Sequence, residues 1–68
     1  MTFFMCDSER NVFFSSSPAC LSPEACVAEY LADNGLDRLS EEDESDIYVY
    51  HEKQAWWFKD GALVPVNG

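Results

Sequence analysis

The sequence predicts a single small α+β domain: an antiparallel sheet of four to five strands with one helix packed on one face, in the order ββαβββ. Three observations lead there. Short aromatic-rich runs are bounded by turn residues, one segment carries helix signals at both ends, and 68 residues hold one domain (1–68) and no more. A chain of this size buries only about 60% of the surface its unfolded form exposes, so its stability margin is thin. Small domains make up the deficit with disulfides, a metal or oligomerisation.

The runs Thr2 to Cys6 and Val12 to Ser15 flank the polar stretch Asp7-Ser8-Glu9-Arg10-Asn11, the pattern of two strands joined by a hairpin. Ser15-Ser16-Ser17-Pro18 has the composition of a connection. The helix then starts with Ser22, whose side chain can accept from the free amides of the first turn, and Pro23, placed where no donor is needed. It runs from Pro23 to Asn34, with Val27, Tyr30 and Leu31 on the core face and Glu24, Ala28 and Glu29 toward solvent. Cys26, the fourth helical position, is expected to meet Leu21 as a hydrophobic staple. Gly35 ends the helix in the left-handed conformation, and Leu36 folds back on Leu31.

From Asp37 to Asp46 the chain carries six carboxylates, with Leu39 as the one apolar anchor, and reads as an exposed loop. Ile47 to His51 and Ala55 to Lys59 are strand candidates. Asp60-Gly61 is a two-residue hairpin turn of the kind that needs positive φ, leading into Ala62 to Val66, where Pro65 marks an edge strand. Side chains alternate faces along a strand, yet Phe3 and Phe4, Phe13 and Phe14, and Trp56 and Trp57 are adjacent pairs. Both faces of the sheet therefore carry large aromatics, and one helix covers only one of them. The other face is expected to meet a partner or a second copy of the chain, giving a possible homodimer, rather than loop cover.

Thirteen acidic residues stand against Arg10, Arg38, Lys53 and Lys59, for a formal charge of −9. Direct binding of nucleic acid or of an anionic membrane is disfavoured by repulsion. The apolar share, 47%, is too high for a solvated acidic tail. Cys6, Cys20 and Cys26 are odd in number and no signal-peptide pattern opens the chain, so reduced thiols in a cytoplasmic setting are expected. No apolar run reaches the roughly 18 residues of a membrane span.

Four kinds of chemistry can be weighed. Cys6, Cys20, Cys26 and His51 form a Cys₃His set, but Cys20 and Cys26 are too far apart for paired zinc ligands, and buried thiols explain them better. Asp33, Asp37, Glu41 and Glu44 fall at calcium-loop spacing, yet Gly35 offers no side-chain oxygen and Arg38 stands where the loop needs glycine. His51 is the one histidine, with no pattern linking it to a nucleophile, and no glycine-rich phosphate loop exists. Base stacking on aromatic strands requires a positive groove that this chain lacks. The expectation is a non-enzyme without metal or cofactor.

What remains is the acidic surface, whose plain reading is solubility. The sharper reading is that Asp37, Glu41, Glu42, Asp43, Glu44 and Asp46 imitate the phosphates of a nucleic acid and occupy a basic surface on a nucleic-acid-binding protein. In size, charge and this cluster the chain resembles the phage-encoded acidic DNA-mimic inhibitors, anti-CRISPR proteins among them. The resemblance implies a bacterial host cytoplasm and a basic protein partner such as a CRISPR effector complex. The alternative is a protein-interaction module that binds through an aromatic sheet face, with Trp56 and Trp57 as its contacts.

Overall fold

The computed structural model describes residues 1–66. The chain runs β1 (Phe4–Cys6), β2 (Val12–Ser15), α1 (Pro23–Asp33), α2 (Glu41–Asp46), β3 (Tyr48–His51), β4 (Gln54–Lys59) and β5 (Ala62–Pro65). The five strands form one antiparallel sheet in the order β2-β1-β3-β4-β5. β3 returns beside β1 after the helical connection, and the hairpin partners β2 and β5 are the two edges. Pro65 accordingly lies on an edge strand, where its missing amide costs the ladder least.

The signals around α1 act as the sequence predicts. Ser22 is extended, and its hydroxyl accepts from the Ala25 amide at 3.1 Å. At the other end Gly35, at φ 64°, donates its amide to Ala32, and Leu36 donates to Leu31, the paired bonds of a Schellman ending. Leu21 is 79% exposed, whereas Cys26 is fully buried in the core, so the expected staple between them does not form. Glu29 turns back instead: its carboxylate accepts from the Ser17 amide and hydroxyl, at 2.8 and 2.9 Å, tying α1 to the connection that precedes it.

The stretch from Asp37 to Asp46 departs from expectation, because Glu41–Asp46 is a helix rather than loop. Ser40 caps it, accepting from the Asp43 amide at 3.1 Å. Four consecutive acids then sit in the first turn, where negative charge complements the unpaired amides. No α2 residue is buried; the helix is held by buried Leu39 before it and buried Ile47 after it, and it lies against β4. Ile47 caps α2, so the strand starts at Tyr48.

One face of the sheet packs on the helical segment. Met5 and Val49 pair across β1 and β3 and are fully buried, and Phe3, Cys20, Cys26, Val27, Leu39 and Ile47 complete the core. Phe14, Tyr30, Leu31, Trp56, Phe58 and Leu63 close around it. Phe3 contacts both His51 and Trp56, with ring centroids 4.8 and 5.7 Å apart. Buried Ser16 extends the first hairpin: its amide donates to the Phe3 carbonyl and its hydroxyl accepts from the Phe3 amide, both at 2.8 Å.

Two of the three aromatic pairs split across the sheet as the alternation requires. Phe13 and Phe14 do not, because the register slips between Met5 and Cys6. The bulge leaves Phe13 and Phe14 both against Tyr30, at 5.5 and 5.3 Å.

Candidate functional site

The six acids singled out from sequence gather on the helical side of the molecule. Asp37 lies in the turn after α1, and Glu41, Glu42, Asp43, Glu44 and Asp46 make up all of α2 except Ser45. All are exposed except Glu44, which is partly covered. Ser45 bonds back to the Glu42 carbonyl at 2.7 Å, so the helix surface is carboxylate almost throughout. With Glu24, Glu29 and Asp33 of α1, the segment from Pro23 to Asp46 holds nine acids against Arg38 alone, which is −8 of the −9 total. Among the described residues no lysine or arginine side-chain nitrogen comes within 4.0 Å of these carboxylate oxygens, and the one cation–carboxylate approach is that of His51 to Glu52. No direct ion pair within the fold therefore offsets these charges.

No strand residue is acidic. The sheet face turned away from the helices is built by Phe4 and Cys6 of β1, Val12 of β2, Tyr48 and Tyr50 of β3, Ala55 and Trp57 of β4, and Val64 of β5. The register sets these side by side: Phe4 pairs with Tyr50, Tyr48 lies between Cys6 and Trp57, and Trp57 pairs with Val64. The Tyr48 ring is 6.2 Å from Tyr50 and 6.0 Å from Trp57, forming one aromatic surface. Phe4, Val12 and Trp57 are 39%, 58% and 43% exposed. A cleft of about 240 Å³ opens between Tyr48, Tyr50, Ala55 and Trp57, with Asp7, Ser8 and Arg10 at its rim.

Trp56 and Trp57 thus occupy opposite faces. Trp56 is half-buried against Phe3 and the core, and Trp57 is exposed beside Tyr48. Trp57 is therefore on the face opposite the acidic cluster, whereas Trp56 lies on the helical side, in the strand against which α2 packs. Phe4 is the partner of Phe3 in an adjacent aromatic pair and falls on the open face, joined there by Tyr50, Val64 and Arg10, to which the sequence alone assigns no role. Their parity relative to Trp57 is set by the strand register, which alternation within a single strand does not reveal.

The rim loop is ordered by Asp7, whose Oδ1 accepts from the amides of Glu9 and Asn11, both at 2.9 Å. These bonds, led by the one from Asn11, hold its carboxyl below its ordinary value. The turn is stabilised above the usual carboxylate range and loses that stabilisation as pH falls through the depressed value. Arg10 holds φ 68° in the same loop.

The remaining titratable groups are structural in placement. His51 Nδ1 lies 3.0 Å from the Thr2 carbonyl, which can only accept, so this nitrogen carries the proton. All three cysteines are free and buried. Burial, then the neighbouring Cys20 and Glu29, pushes the Cys26 thiol up to about 12; burial also raises Cys6 and Tyr50. Among the described residues no group of three or more His, Cys, Asp or Glu side chains is placed to hold a metal ion, and no helix is long and apolar enough to cross a membrane. Comparison with protein families, curated proteins and solved structures finds no match to this chain, so its own two surfaces carry the functional argument.

Proposed function

We propose that this chain is a small acidic binding protein that inhibits a nucleic-acid-binding protein or complex by occupying its basic surface. The observation that carries this reading is the concentration of −8 of the net charge in the helical segment 23–46, with no basic side chain drawn in to neutralise it. Scattered acids would serve solubility equally well. A one-sided layer does more, because it orients the molecule in the field of a cationic partner and accelerates encounter. Asp37 and the five acids of α2 are the contacts, held in fixed spacing by the Ser40 cap and by Leu39 and Ile47 beneath.

The partner class is a protein with a basic groove of the kind that takes a nucleic-acid backbone. A CRISPR effector complex in a bacterial host cytoplasm, met by a phage-encoded inhibitor, is one member of that class. The protein acts by binding and needs no cofactor. In keeping with this, its single histidine is committed to a backbone carbonyl and its three thiols are buried.

Capture of partners from host lysate tests the reading, run with the wild type and with a variant carrying Glu41→Gln, Glu42→Gln, Asp43→Asn and Glu44→Gln. The expected result is a nucleic-acid-binding protein held by the wild type, released by high salt and lost with the amide variant. A captured partner without a basic surface, or equal capture by the amide variant, overturns the proposal.

A further inference from the structure

The open sheet face is a second surface whose chemistry is opposite to that of the helical layer, and it goes beyond the acidic reading. Helices cover one side of the sheet; the other presents Phe4, Val12, Tyr48, Tyr50 and Trp57 to solvent. We propose that this face pairs with the same face of a second copy, making a symmetric sheet-on-sheet homodimer with the acidic helical layers outermost.

Charge selects this occupant. Two molecules of net charge −9 repel one another in any arrangement that brings their helical sides together. The open face has no carboxylate on any of its strands, and the charged side chains beside it include the cations Arg10 and Lys59. The Asp7 carboxylate at its rim is already engaged by the amides of its own loop. Two copies meeting on this side bring together far fewer carboxylates than on the helical side, and Arg10 and Lys59 of one copy can face Asp7 of the other. Stacked layers lie about 10 Å apart, so the two helical layers of such a dimer are separated by roughly 30 Å, well beyond the screening length of about 8 Å at physiological salt.

With strands about 4.8 Å apart and a rise of about 3.3 Å per residue, the five strands of three to six residues make a face on the order of 400 Å², so the pairing is a small, concentration-dependent interface below the about 800 Å² per partner of a standard one. Two-fold packing makes the patch self-complementary, with the Trp57 ridge of one copy available to the cleft between Tyr48, Tyr50 and Ala55 of the other. The face also answers the thin core of a 68-residue domain, for which oligomerisation is a standard remedy.

Sedimentation equilibrium of the full chain across concentration and salt decides the matter. A dimer of twice the 7.7 kDa chain mass is expected, and its association should tighten roughly tenfold or more from low to high salt as screening removes repulsion. Trp57→Lys, and separately Val12→Lys at a more exposed position, should each weaken association at least tenfold while circular dichroism stays that of the wild type. Both changes make the chain less negative, so an association governed by net charge alone would strengthen instead. The Glu41, Glu42, Asp43 and Glu44 amide variant should dimerise at least as well as wild type even though it loses the basic partner, which separates this proposal from the preceding one. A chain that stays monomeric at high salt and high concentration, or a Trp57→Lys chain that dimerises like the wild type, overturns the pairing and leaves the face to a different partner.

Discussion

The helical segment from Pro23 to Asp46 and the open face of the sheet divide the surface between two kinds of physics. The first carries nine carboxylates on its outer side while Cys26, Val27 and Leu39 anchor it in the core; α2 itself has no buried residue. The second carries no carboxylate on its strands and exposes aromatic rings. On the two proposals above, salt should weaken contacts made by the first and strengthen self-contact through the second. Nine of the 13 acids lie in the helical segment and the other four in turns, which leaves every strand free of carboxylate.

The comparison breaks most visibly where the covered face is altered. Met5→Ala empties a fully buried position at the centre of the core and should cost about 2 to 5 kcal/mol, most or all of the stability expected of so small a domain. Urea denaturation followed by circular dichroism reads the loss. Trp57→Lys on the open face should move the same midpoint far less, and equal losses would mean that the open face is part of the monomer core.

Alkaline pH gives the next largest effect. Cys26 is held near 12 in the folded state against an ordinary 9.0, so the unfolded chain releases its proton first. Stability is full below pH 9 and falls as pH rises through the interval to about 12, with Cys6 and Tyr50 adding to the same trend. A Cys26→Ala chain should show a shallower alkaline decline than the wild type; identical slopes would place the thiol in contact with solvent. Alkylation of the folded protein near neutral pH should likewise be slow at all three cysteines.

A smaller loss, about 1 kcal/mol, is expected from Ser40→Ala, which removes the cap of α2. The acidic surface should loosen with it, and binding to a basic partner should weaken although no charge has changed. Retained affinity would show that the acids need no ordered spacing. Smaller still and opposite in sign, Glu52→Gly should stabilise the β3–β4 hairpin by about 1 kcal/mol or less, because Glu52 holds φ 54° in a turn without glycine.

Most of the fold was legible in residues whose chemistry is local. Ser22, Pro23 and Gly35 bound α1, and Asp60-Gly61 turn the last hairpin with φ 54° and 81°, because capping and positive φ are decided within a few residues. α2 was missed although Ser40 and Asp43 match a capping pattern, because a helix without an apolar stripe gives no periodic signal. The bulge that turns Phe13 toward Tyr30, and the opposite fates of Trp56 and Trp57, depend on register across strands and on what the chain later lays over the sheet. The acidic cluster was visible as composition. Its concentration on one side, and the acid-free strand face behind it, became visible only with the topology.

The two adjacent tryptophans test this division most directly. In dilute solution, collisional quenching of the Trp56→Phe chain reports Trp57, and quenching of the Trp57→Phe chain reports Trp56. Acrylamide should quench Trp57 strongly and Trp56 weakly, with the Trp57 signal becoming shielded as protein concentration and salt rise. Equal accessibility of the two rings, or a Trp56 more accessible than Trp57, would contradict the assignment of the covered and open faces.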